Sequence, residues 1–498
     1  MFQKLTAAQD RSLHPQAEWI AALAATLVLI LVVNPVGYVG GGLDDWRYLN
    51  AARCWAELGP CLPSNHWEGR WPLVGSLGAI IALLGESRVT VALPTLLYSS
   101  GCLVLLAMIG NRLFAPPVGY LAALLLLTVP TFAVELLAPS VGSAELFFLL
   151  ASALALTAFA AQRRRWQAVA AGLAWGLACQ VRETALIGAL PLALLLWRHS
   201  RGDRVALLAA GAAAALPFLA EAIIFGSQTG DPLFRRRLSL GHTLIASSEL
   251  IAPVDDRRAP FFNPAYIANW RLDPGIHLHW AIDGLVNLLF NIQSGTLLLV
   301  ALVTSLFSAP RLGPRDRRAV GLLLALGLLW AAALIYGLAI DPKPRMMLAL
   351  LTAAALALAL VLCRLAKGGS RLLAVVAGGI PLLLGLGITA LHPRTYPSER
   401  AIAGWAARNT GQIMVDLTTR THLALVPAAS GFAGLASERP LFVMRVNGEC
   451  RAVRPTRSRT LYHPVASSSL DPFERTGFGY FCLLRRDEPD PPSKHRGN

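Results

Sequence analysis

A succession of apolar runs, each long enough to cross a bilayer, constrains this chain more than any other feature. About 20 consecutive apolar residues cross the roughly 30 Å of hydrocarbon in a membrane. Runs of this kind lie near 19–39, 89–110, 117–137, 143–161, 205–226, 284–308, 319–340, 345–366 and 371–391. Two shorter runs, near 167–181 and 185–198, flank the polar triplet Arg182–Thr184. The sequence therefore predicts an all-α polytopic membrane protein with about eleven crossings.

The composition agrees with a membrane protein and excludes an ordinary soluble one. Of the 498 residues, 55% are hydrophobic and only 15% are charged. The net charge of +15 is carried by short basic clusters between apolar runs and not by a separate basic domain. Membrane topology explains such clusters better than nucleic-acid binding does.

The basic clusters also predict the orientation of the chain. With eleven crossings they fall on the side of the N-terminus, together with Lys4 and Arg11, and short loops rich in Lys and Arg are typical of the cytoplasmic side. These clusters are Arg112, Arg163–Arg165, Arg198/Arg201/Arg204, Arg311/Arg315/Arg317/Arg318 and Arg364/Lys367/Arg371. We expect the loops 40–88 and 227–283 and the whole C-terminal part on the opposite, extracytoplasmic side. The first apolar run is predicted to be an uncleaved anchor, because Asn34-Pro35 and the following residues do not form a usual signal-peptidase site.

The polar C-terminal part is predicted to fold by itself. We expect a membrane domain over 1–391, a small α/β domain over 392–485 and a disordered tail over 486–498. The segment "SERAIAGWAAR" has helical spacing, and "QIMVDL", "RPLFVMRV" and "GYFCLLRR" are typical of strands. The last residues have the composition of disordered chains.

Four of the seven cysteines lie in parts predicted to be extracytoplasmic. If that compartment is oxidising, Cys54 can pair with Cys61 and Cys450 with Cys482. The other three, Cys102, Cys179 and Cys363, lie in apolar runs, and no CxxC pair suggests a zinc site.

The strongest candidate for chemistry is "DDWRY", Asp44 to Tyr48, directly after the first apolar run. Carboxylates at a membrane edge are costly without a partner or a purpose. Asp44 can also simply cap the helix that periodicity predicts from Asp45 to Leu58, but a cap needs one carboxylate and the segment supplies two. Arg47 and Tyr48 lie three and four residues after Asp44 and can meet it on one helix face, as a surface ion pair or as part of a site.

Three further polar clusters fall on the same predicted side. The segment "HWEGRWP" brings together His66, Glu68 and Arg70. Arg182 and Glu183 interrupt an apolar segment, and Lys343 and Arg345 stand at a helix start in "DPKPRMM". Each cluster has a plain alternative: snorkelling of the cations to lipid headgroups, or a self-satisfying turn at Arg182 and Glu183. Their common side favours a lipid-linked phosphate substrate, with cations for the phosphate and a carboxylate for the acceptor proton.

These motifs together resemble the GT-C membrane glycosyltransferases. "DDWRY" is similar to the Asp-Glu/Asp-x-x-Tyr signature of that superfamily, above all in the branch of protein mannosyltransferases and lipid A aminoarabinose transferases. The resemblance continues through "RWPLVGSLGAIIALLGES", the segment around "CQVRETALIG" and "DPKPRMMLALL", over about 40 to 365. Arg-Trp-Pro stands where the family often has Lys-Pro, and Met346 stands in place of the usual tyrosine.

The resemblance implies transfer of a sugar from a polyprenyl-phosphate donor, with inversion, to a lipid, glycan or protein acceptor at the outer face of a bacterial-type cytoplasmic membrane. Asp44 matches the catalytic aspartate of the family and is expected to be the general base. Asp45, Arg47, Tyr48, His66, Glu68, Arg70, Arg182, Glu183, Lys343 and Arg345 are the expected substrate-binding residues. No cofactor is required, although some relatives hold a divalent cation, for which Asp44 and Asp45 can combine with Glu183 or Glu145. A polysaccharide polymerase or ligase, a lipid or solute transporter, and a structural or sensor protein are the alternatives; the position of the charges at helix ends argues against a transporter.

Overall fold

The computed structural model describes residues 14–33, 44–200, 203–239, 280–338 and 343–391, together with four short strands of the C-terminal part. The chain divides into two compact units. Met1–Val36, Tyr48–Gly85 and Ala92–Pro393 form the first, and Gly37–Arg47, Glu86–Val91 and Arg394–Asn498 form the second.

The first unit is helical. The helices of the described residues are α1 (His14–Val33), α2 (Asp45–Leu58), α3 (Trp71–Leu84), α4 (Arg88–Leu113), α5 (Val118–Leu127), α6 (Pro130–Glu135), α7 (Val141–Gln162), α8 (Arg165–Val181), α9 (Ala189–His199), α10 (Arg204–Thr229), α11 (Trp280–Phe290), α12 (Gly295–Ser308), α13 (Pro314–Ala332), α14 (Leu348–Lys367) and α15 (Arg371–Leu391). Helices α2 and α4 begin in residues assigned to the second unit and continue into the first. Short 3-10 turns lie at Glu183–Gly188, Ala309–Arg311 and Pro344–Met346, and Ala333–Gly337 is a π-helical extension of α13.

Six helices within the described residues are long and apolar enough to cross a membrane. They are Arg88–Leu113, Val141–Gln162, Arg204–Thr229, Pro314–Gly337, Leu348–Lys367 and Arg371–Leu391, and each coincides with an apolar run of the sequence. The bent pair Gly284–Phe290 and Gly295–Arg311 makes a seventh if it is one span. The chain is thus a multi-pass membrane protein, whereas the count of eleven crossings stays a prediction.

Two of the predicted spans are not continuous helices. The run 117–137 divides into α5 and α6, because Val129 precedes Pro130 and adopts an extended conformation with ψ of 121°, as residues before proline generally do. The run 284–308 turns by 97° between α11 and α12. There the Asn291 side chain accepts a hydrogen bond from the amide of Gln293 at 2.8 Å, a local bond that favours a turn over a continued helix.

Helix α14 lies at the centre of the helical core. It packs against α5, α12, α13 and α15, and nearly every residue from Leu350 to Leu362 is buried. A helix that is apolar on all sides is buried on all sides. Its start, at Leu348, therefore has a fixed position in the unit, and the turn at Pro344–Met346 is attached to it.

Helices α8 and α10 approach each other through small residues. A β-carbon on Gly172 would lie 2.0 Å from the carbonyl oxygen of Ala210, and one on Gly176 would lie 2.3 Å from that of Ala214. Small residues four apart on both helices allow such backbone contact, which is a common way of packing membrane helices. The contact fixes α8, whose C-terminal end leads into Arg182 and Glu183.

The second unit contains a four-stranded sheet in the order β1-β2-β4-β3. Its strands are β1 (Ile413–Val415), β2 (Leu441–Val446), β3 (Tyr462–Pro464) and β4 (Tyr480–Arg486). Strands β1 and β2 are parallel, and the other two pairs are antiparallel, with Val443 opposite Leu483 in the central pair. The three strands expected from the sequence are confirmed, and β3 is an addition. The helix expected at "SERAIAGWAAR" and Cys450 lie outside the described residues, as does the expected disordered tail except for Arg486, which belongs to β4.

Candidate active site

Helix α2 begins at the paired aspartates. Asp44 directly precedes the helix, and its carbonyl accepts the amide of Arg47 at 3.1 Å, which closes the first turn. Asp45 is the first residue of α2 and only 5% exposed. The predicted helix from Asp45 to Leu58 is confirmed. It carries Tyr48 one turn after the aspartates.

Tyr48 and Arg70 form the first contact of the site. The Nη1 of Arg70 donates a hydrogen bond to the hydroxyl of Tyr48 at 2.6 Å, and the guanidinium also lies 5.8 Å from the centre of the tyrosine ring. The exposed fractions of Tyr48 and Arg70 are 2% and 8%. A buried guanidinium needs partners of this kind, because burial of an unpaired charge costs several kcal/mol.

The chain between these two residues is held in place at several points. Cys54 and Cys61 form a disulfide, as the sequence allowed. A β-carbon on Gly75 would lie 2.9 Å from the indole of Trp55, and one on Gly78 would lie 2.8 Å from Cβ of the same residue, so that α2 and α3 lie in close contact. Arg70 precedes the first residue of α3 and is therefore presented from a rigid corner.

Glu68 has a local role in this corner. Its Oε2 accepts the amide and the hydroxyl of Ser64, both at 2.7 Å, and its Oε1 accepts the Asn65 side chain at 2.7 Å. The ring of His66 contacts that of Trp67 in a tilted arrangement, with 3.6 Å between the ring centres. Both oxygens of Glu68 thus stabilise the turn that leads to Arg70.

A buried ion pair joins α7 to the end of α8. The Nη1 of Arg182 lies 3.5 Å from Oε2 of Glu145, and the hydroxyl of Thr184 donates to Oε1 of the same carboxylate at 2.5 Å. Helix α8 ends at Val181 because Arg182 is extended, with φ of −158° and ψ of 132°. The Trp175 indole holds the following turn by donating to the carbonyl of Ala185 at 3.0 Å.

The turn with Lys343 and Arg345 lies against the same region. A β-carbon on Gly142, at the start of α7, would lie 3.0 Å from the carbonyl oxygen of Arg345. The Nη2 of Arg182 contacts the sulfur of Met346. The amide of Met346 donates to the carbonyl of Lys343 at 2.8 Å and closes the turn.

Three guanidiniums therefore share one region of the helical unit. Arg182 interacts electrostatically with Arg70, Tyr48 and Arg345, as well as with Glu145, and Arg70 also acts on Glu145. We call Arg70, Arg182 and Arg345 the arginine cluster. Arg70 also acts on Glu183, so that two carboxylates, Glu145 and Glu183, interact with members of the cluster. Such a group of guanidiniums suits a phosphate or another anion.

Arg235 binds the other side of the Arg182 turn. Its Nη2 donates to the carbonyl of Gln180 at 2.8 Å and lies 3.4 Å from Glu183 Oε1, and its Nη1 lies 2.7 Å from Glu221 Oε2. Nη1 also contacts the Gln180 side chain. Glu183 accepts a further bond from the Ser239 hydroxyl at 3.0 Å. Glu183 is thus tied to the start of the 227–283 loop.

The charges around Glu183 also set its acidity. Burial would raise the pKa of this carboxyl, but the Arg235 and Arg70 guanidiniums outweigh burial and hold the pKa below its usual range. The side chain is 51% exposed, so solvent screens this interaction. Glu183 is therefore an anion at neutral pH.

The comparisons with known proteins concern the family and the fold. Residues 72–225 match the family model of the dolichyl-phosphate-mannose-protein mannosyltransferases. The archaeal oligosaccharyltransferase AglB from Archaeoglobus fulgidus, in complex with an inhibitory peptide and a dolichol-phosphate, is similar with a TM-score of 0.54 and 12% identity, over 87% of this chain and 70% of that chain. The apo oligosaccharyltransferase of the same organism is similar with a TM-score of 0.52 and 13% identity, over 86% of this chain and 65% of that chain. This chain has the fold of the GT-C membrane glycosyltransferases.

Two further results complete these comparisons. ArnT from Cupriavidus metallidurans, bound to undecaprenyl phosphate, is 14% identical, with a TM-score of 0.44 over 94% of this chain and 98% of that chain. The comparison with curated proteins finds no match. The family-model match and the fold shared with the two oligosaccharyltransferase structures confirm the GT-C resemblance stated from the sequence motifs, and the match at 72–225 contains Glu145, Arg182 and Glu183.

The structure brings together only some of the residues expected to bind substrate. Tyr48, Arg70, Arg182 and Arg345 lie in or beside the arginine cluster, with Lys343 in the adjoining turn. Glu183 faces Arg235, and Glu68 and His66 belong to the turn before Arg70. Asp44, Asp45 and Arg47 lie at the start of α2. The functional roles of all these residues stay predictions.

Sequence reasoning missed the residues that complete the charge pattern. From the sequence, Glu145 is a candidate only as a metal ligand, and Thr184, Gln180, Glu221 and Arg235 are not predicted to be site residues. Glu145 and Glu221 each place a carboxylate in an otherwise apolar helix, which is the signal that could have found them. The described residues contain no group of three or more His, Cys, Asp or Glu side chains of the kind that holds a metal ion; a divalent cation at Asp44 and Asp45 stays untested.

Proposed function

We propose that this protein transfers a sugar from a polyprenyl-phosphate donor to a lipid, glycan or protein acceptor at the outer face of a bacterial-type cytoplasmic membrane. The observation that carries the proposal is the arginine cluster, three guanidiniums that lie near one another at the ends of apolar helices. Dolichol-phosphate in the complex of the similar AglB supports a phosphate-bearing polyprenyl lipid as the ligand.

The arginine cluster binds and stabilises the phosphate of the departing polyprenyl phosphate. As the bond between the sugar C1 and the phosphate oxygen breaks, the electron pair stays on that oxygen, and negative charge grows on the polyprenyl phosphate. Arg70, Arg182 and Arg345 stabilise this charge through preorganised N–H donors in a site of low exposure. Tyr48 and Glu145 hold two of these guanidiniums in place before the substrate arrives.

Asp44 acts on the acceptor. A hydroxyl or amine that attacks C1 must lose a proton, which Asp44 accepts as general base. Attack from the face opposite the phosphate inverts the configuration at C1. Helix α2 supports this assignment, because it begins directly after Asp44 and carries Tyr48, the partner of Arg70. Asp45 and Arg47 adjoin this position, and we propose that they contact the substrate.

The test uses the purified full chain in liposomes with a series of labelled polyprenyl-phosphate sugars. We expect the Asp44→Asn variant to lose transfer by at least about a hundredfold, since general bases contribute 10²–10⁴-fold, while binding of unlabelled polyprenyl phosphate stays. The matched control is Asp316→Asn, which removes a carboxylate paired with Arg364 at 2.7 Å elsewhere in the fold. Equal transfer by Asp44→Asn and the native chain would rule out Asp44 as the base.

A further inference from the structure

Arg235 is a buried cation whose hydrogen bonds all end on elements around the candidate site. It lies in the short helical segment 234–239, just after α10, and is 5% exposed. Its two terminal nitrogens contact the end of α8 through Gln180, the 3-10 turn through Glu183, and α10 through Glu221. A single side chain thus joins three elements.

The aliphatic part of Arg235 contacts a fourth element. A β-carbon on Gly69 would lie 3.2 Å from Cγ and 3.4 Å from Cδ of Arg235. In the sequence, Gly69 directly precedes Arg70, and Glu183 directly follows Arg182, with Gln180 two residues before Arg182. Arg235 therefore contacts the immediate neighbours in sequence of two members of the arginine cluster.

The chemistry of the contacts requires an arginine. Glu221 is 14% exposed and needs a cationic partner, because an unpaired buried carboxylate is costly. A guanidinium presents five N–H donors in one plane, whereas a lysine ammonium is a single point of charge. Only the planar group can pair Glu221 while it also bonds the Gln180 carbonyl and reaches Glu183.

We propose that Arg235 is a positioning residue for the arginine cluster, which sets the distance between the Arg70 corner and the Arg182 turn and thereby the affinity for the donor phosphate. The proposal rests on the proposed function for its consequence in catalysis. The structural part of the proposal, that Arg235 holds the end of α8, stands without it.

The structural part is tested by thiol protection in the full chain in membranes. Cys179 directly precedes Gln180 and is 3% exposed, and Cys102, in α4, is fully buried. We expect Arg235→Lys to speed alkylation of Cys179 by N-ethylmaleimide about tenfold, as local opening becomes easier, while Cys102 keeps its native rate. Gly69→Ala, which crowds the arginine but keeps its charge, should act in the same direction. Native protection of Cys179 in both variants would overturn the proposal.

The functional part is tested by donor kinetics. We expect Arg235→Lys to raise the KM for the polyprenyl-phosphate sugar about tenfold, within the range of coupling inside one hydrogen-bond network, with little change in kcat. Because Arg235 acts through the Arg182 turn, Arg182→Lys and Arg235→Lys together should raise the KM by less than the product of their single effects. The matched control is Arg364→Lys, the same substitution in an ion pair with Asp316, whose effect should multiply with that of Arg182→Lys.

The outcomes separate the two proposals. General damage to the fold would lower kcat through loss of active protein and leave the KM unchanged, and that result would overturn a positioning role. Fully independent effects of Arg182→Lys and Arg235→Lys would also overturn it. If the native chain transfers sugar from none of the donors, the proposed function fails, while alkylation of Cys179 still decides whether Arg235 holds the end of α8.

Discussion

At the scale of single residues, Tyr48 shows how a buried tyrosine supports a charge. Its hydroxyl accepts from Arg70 at 2.6 Å, and its ring lies under the same guanidinium. The two contacts restrict the guanidinium in different directions. Arg70 is therefore held in position before any anion binds, which lowers the entropy lost on binding.

The Tyr48→Phe variant should weaken donor binding and keep the fold. The ring contact stays, but Arg70 loses one acceptor, and a hydrogen bond to a charged group is worth about 1.5–3 kcal/mol. We expect the donor KM to rise about tenfold, at the lower end of this range. The control is Tyr120→Phe, in a tyrosine that packs against the core from α5. Equal effects of both changes on the KM would contradict the role of the Tyr48 hydroxyl.

At the scale of elements, the contact between helices α8 and α10, called the seam below, leaves no space for a side chain at two positions of α8. The backbones touch at Gly172 and Gly176, where β-carbons would lie 2.0 and 2.3 Å from carbonyl oxygens. Backbone atoms cannot rotate away as a side chain can. The position of the Arg182 turn therefore depends on two glycines, Gly172 and Gly176, which lie more than one helical turn before it.

Gly172→Ala should push α8 away from α10 and destabilise the protein by about 1–3 kcal/mol, as overpacking does. Thermal unfolding in detergent measures the effect, and transfer activity should fall with it. Gly211→Ala is the matched control, because a β-carbon there has no atom within 4 Å. Alanine at 211 should be neutral or slightly stabilising. A Gly172→Ala protein as stable as the control would show that the seam can relax.

The disulfide Cys54–Cys61 acts on a second element, the corner before α3. It closes a short loop at the end of α2, with a sequence separation of 7. For a loop of this size the chain-entropy model gives a stabilisation of about 2.5 kcal/mol. We expect reduction, or Cys54→Ser with Cys61→Ser, to lower the melting temperature and to raise the donor KM through Arg70. An unchanged KM in the double variant would show that Trp55 and α3 alone hold the corner.

Periodicity and charge were sufficient to predict several elements from the sequence. The spacing in "DWRYLNAARCWAEL" predicted α2, and the charges of Arg182 and Glu183 predicted the break between α8 and α9. In both cases the signal lies within a few neighbouring residues. Alternation of apolar residues likewise located three of the four strands.

Other features depend on contacts that hydropathy does not measure. The turn at 291–294 follows from an asparagine side chain bonding a nearby amide, and the division of the run 117–137 follows from a proline. The roles of Arg235, Glu145 and Glu221 depend on residues far apart in sequence: Arg235 and Gln180 are separated by 55 positions. Only the folded chain brings such partners together.

At the scale of the whole molecule, the direction of α7 gives a test of the orientation. Glu57, at the end of α2, and Gln162, at the end of α7, are both exposed. With a cytoplasmic N-terminus, Gln162 lies at the basic cytoplasmic end and Glu57 on the opposite side. A membrane-impermeant maleimide should therefore label Glu57→Cys in intact cells and Gln162→Cys only after lysis, with the labelled peptides identified by mass spectrometry. The reverse pattern would invert the topology and place the arginine cluster in the cytoplasm.

At Gly142, the start of α7 lies in close contact with the turn that holds Lys343 and Arg345, because this position has a hydrogen atom and no side chain. A β-carbon there would lie 3.0 Å from the Arg345 carbonyl, closer than carbon and oxygen normally approach without adjustment. One methyl group at this position would act as a spacer, which widens the region between Glu145 and the turn while every charge is kept. The spacing between Glu145 and the Arg345 turn therefore depends on the absence of one side chain, and not only on the charged residues.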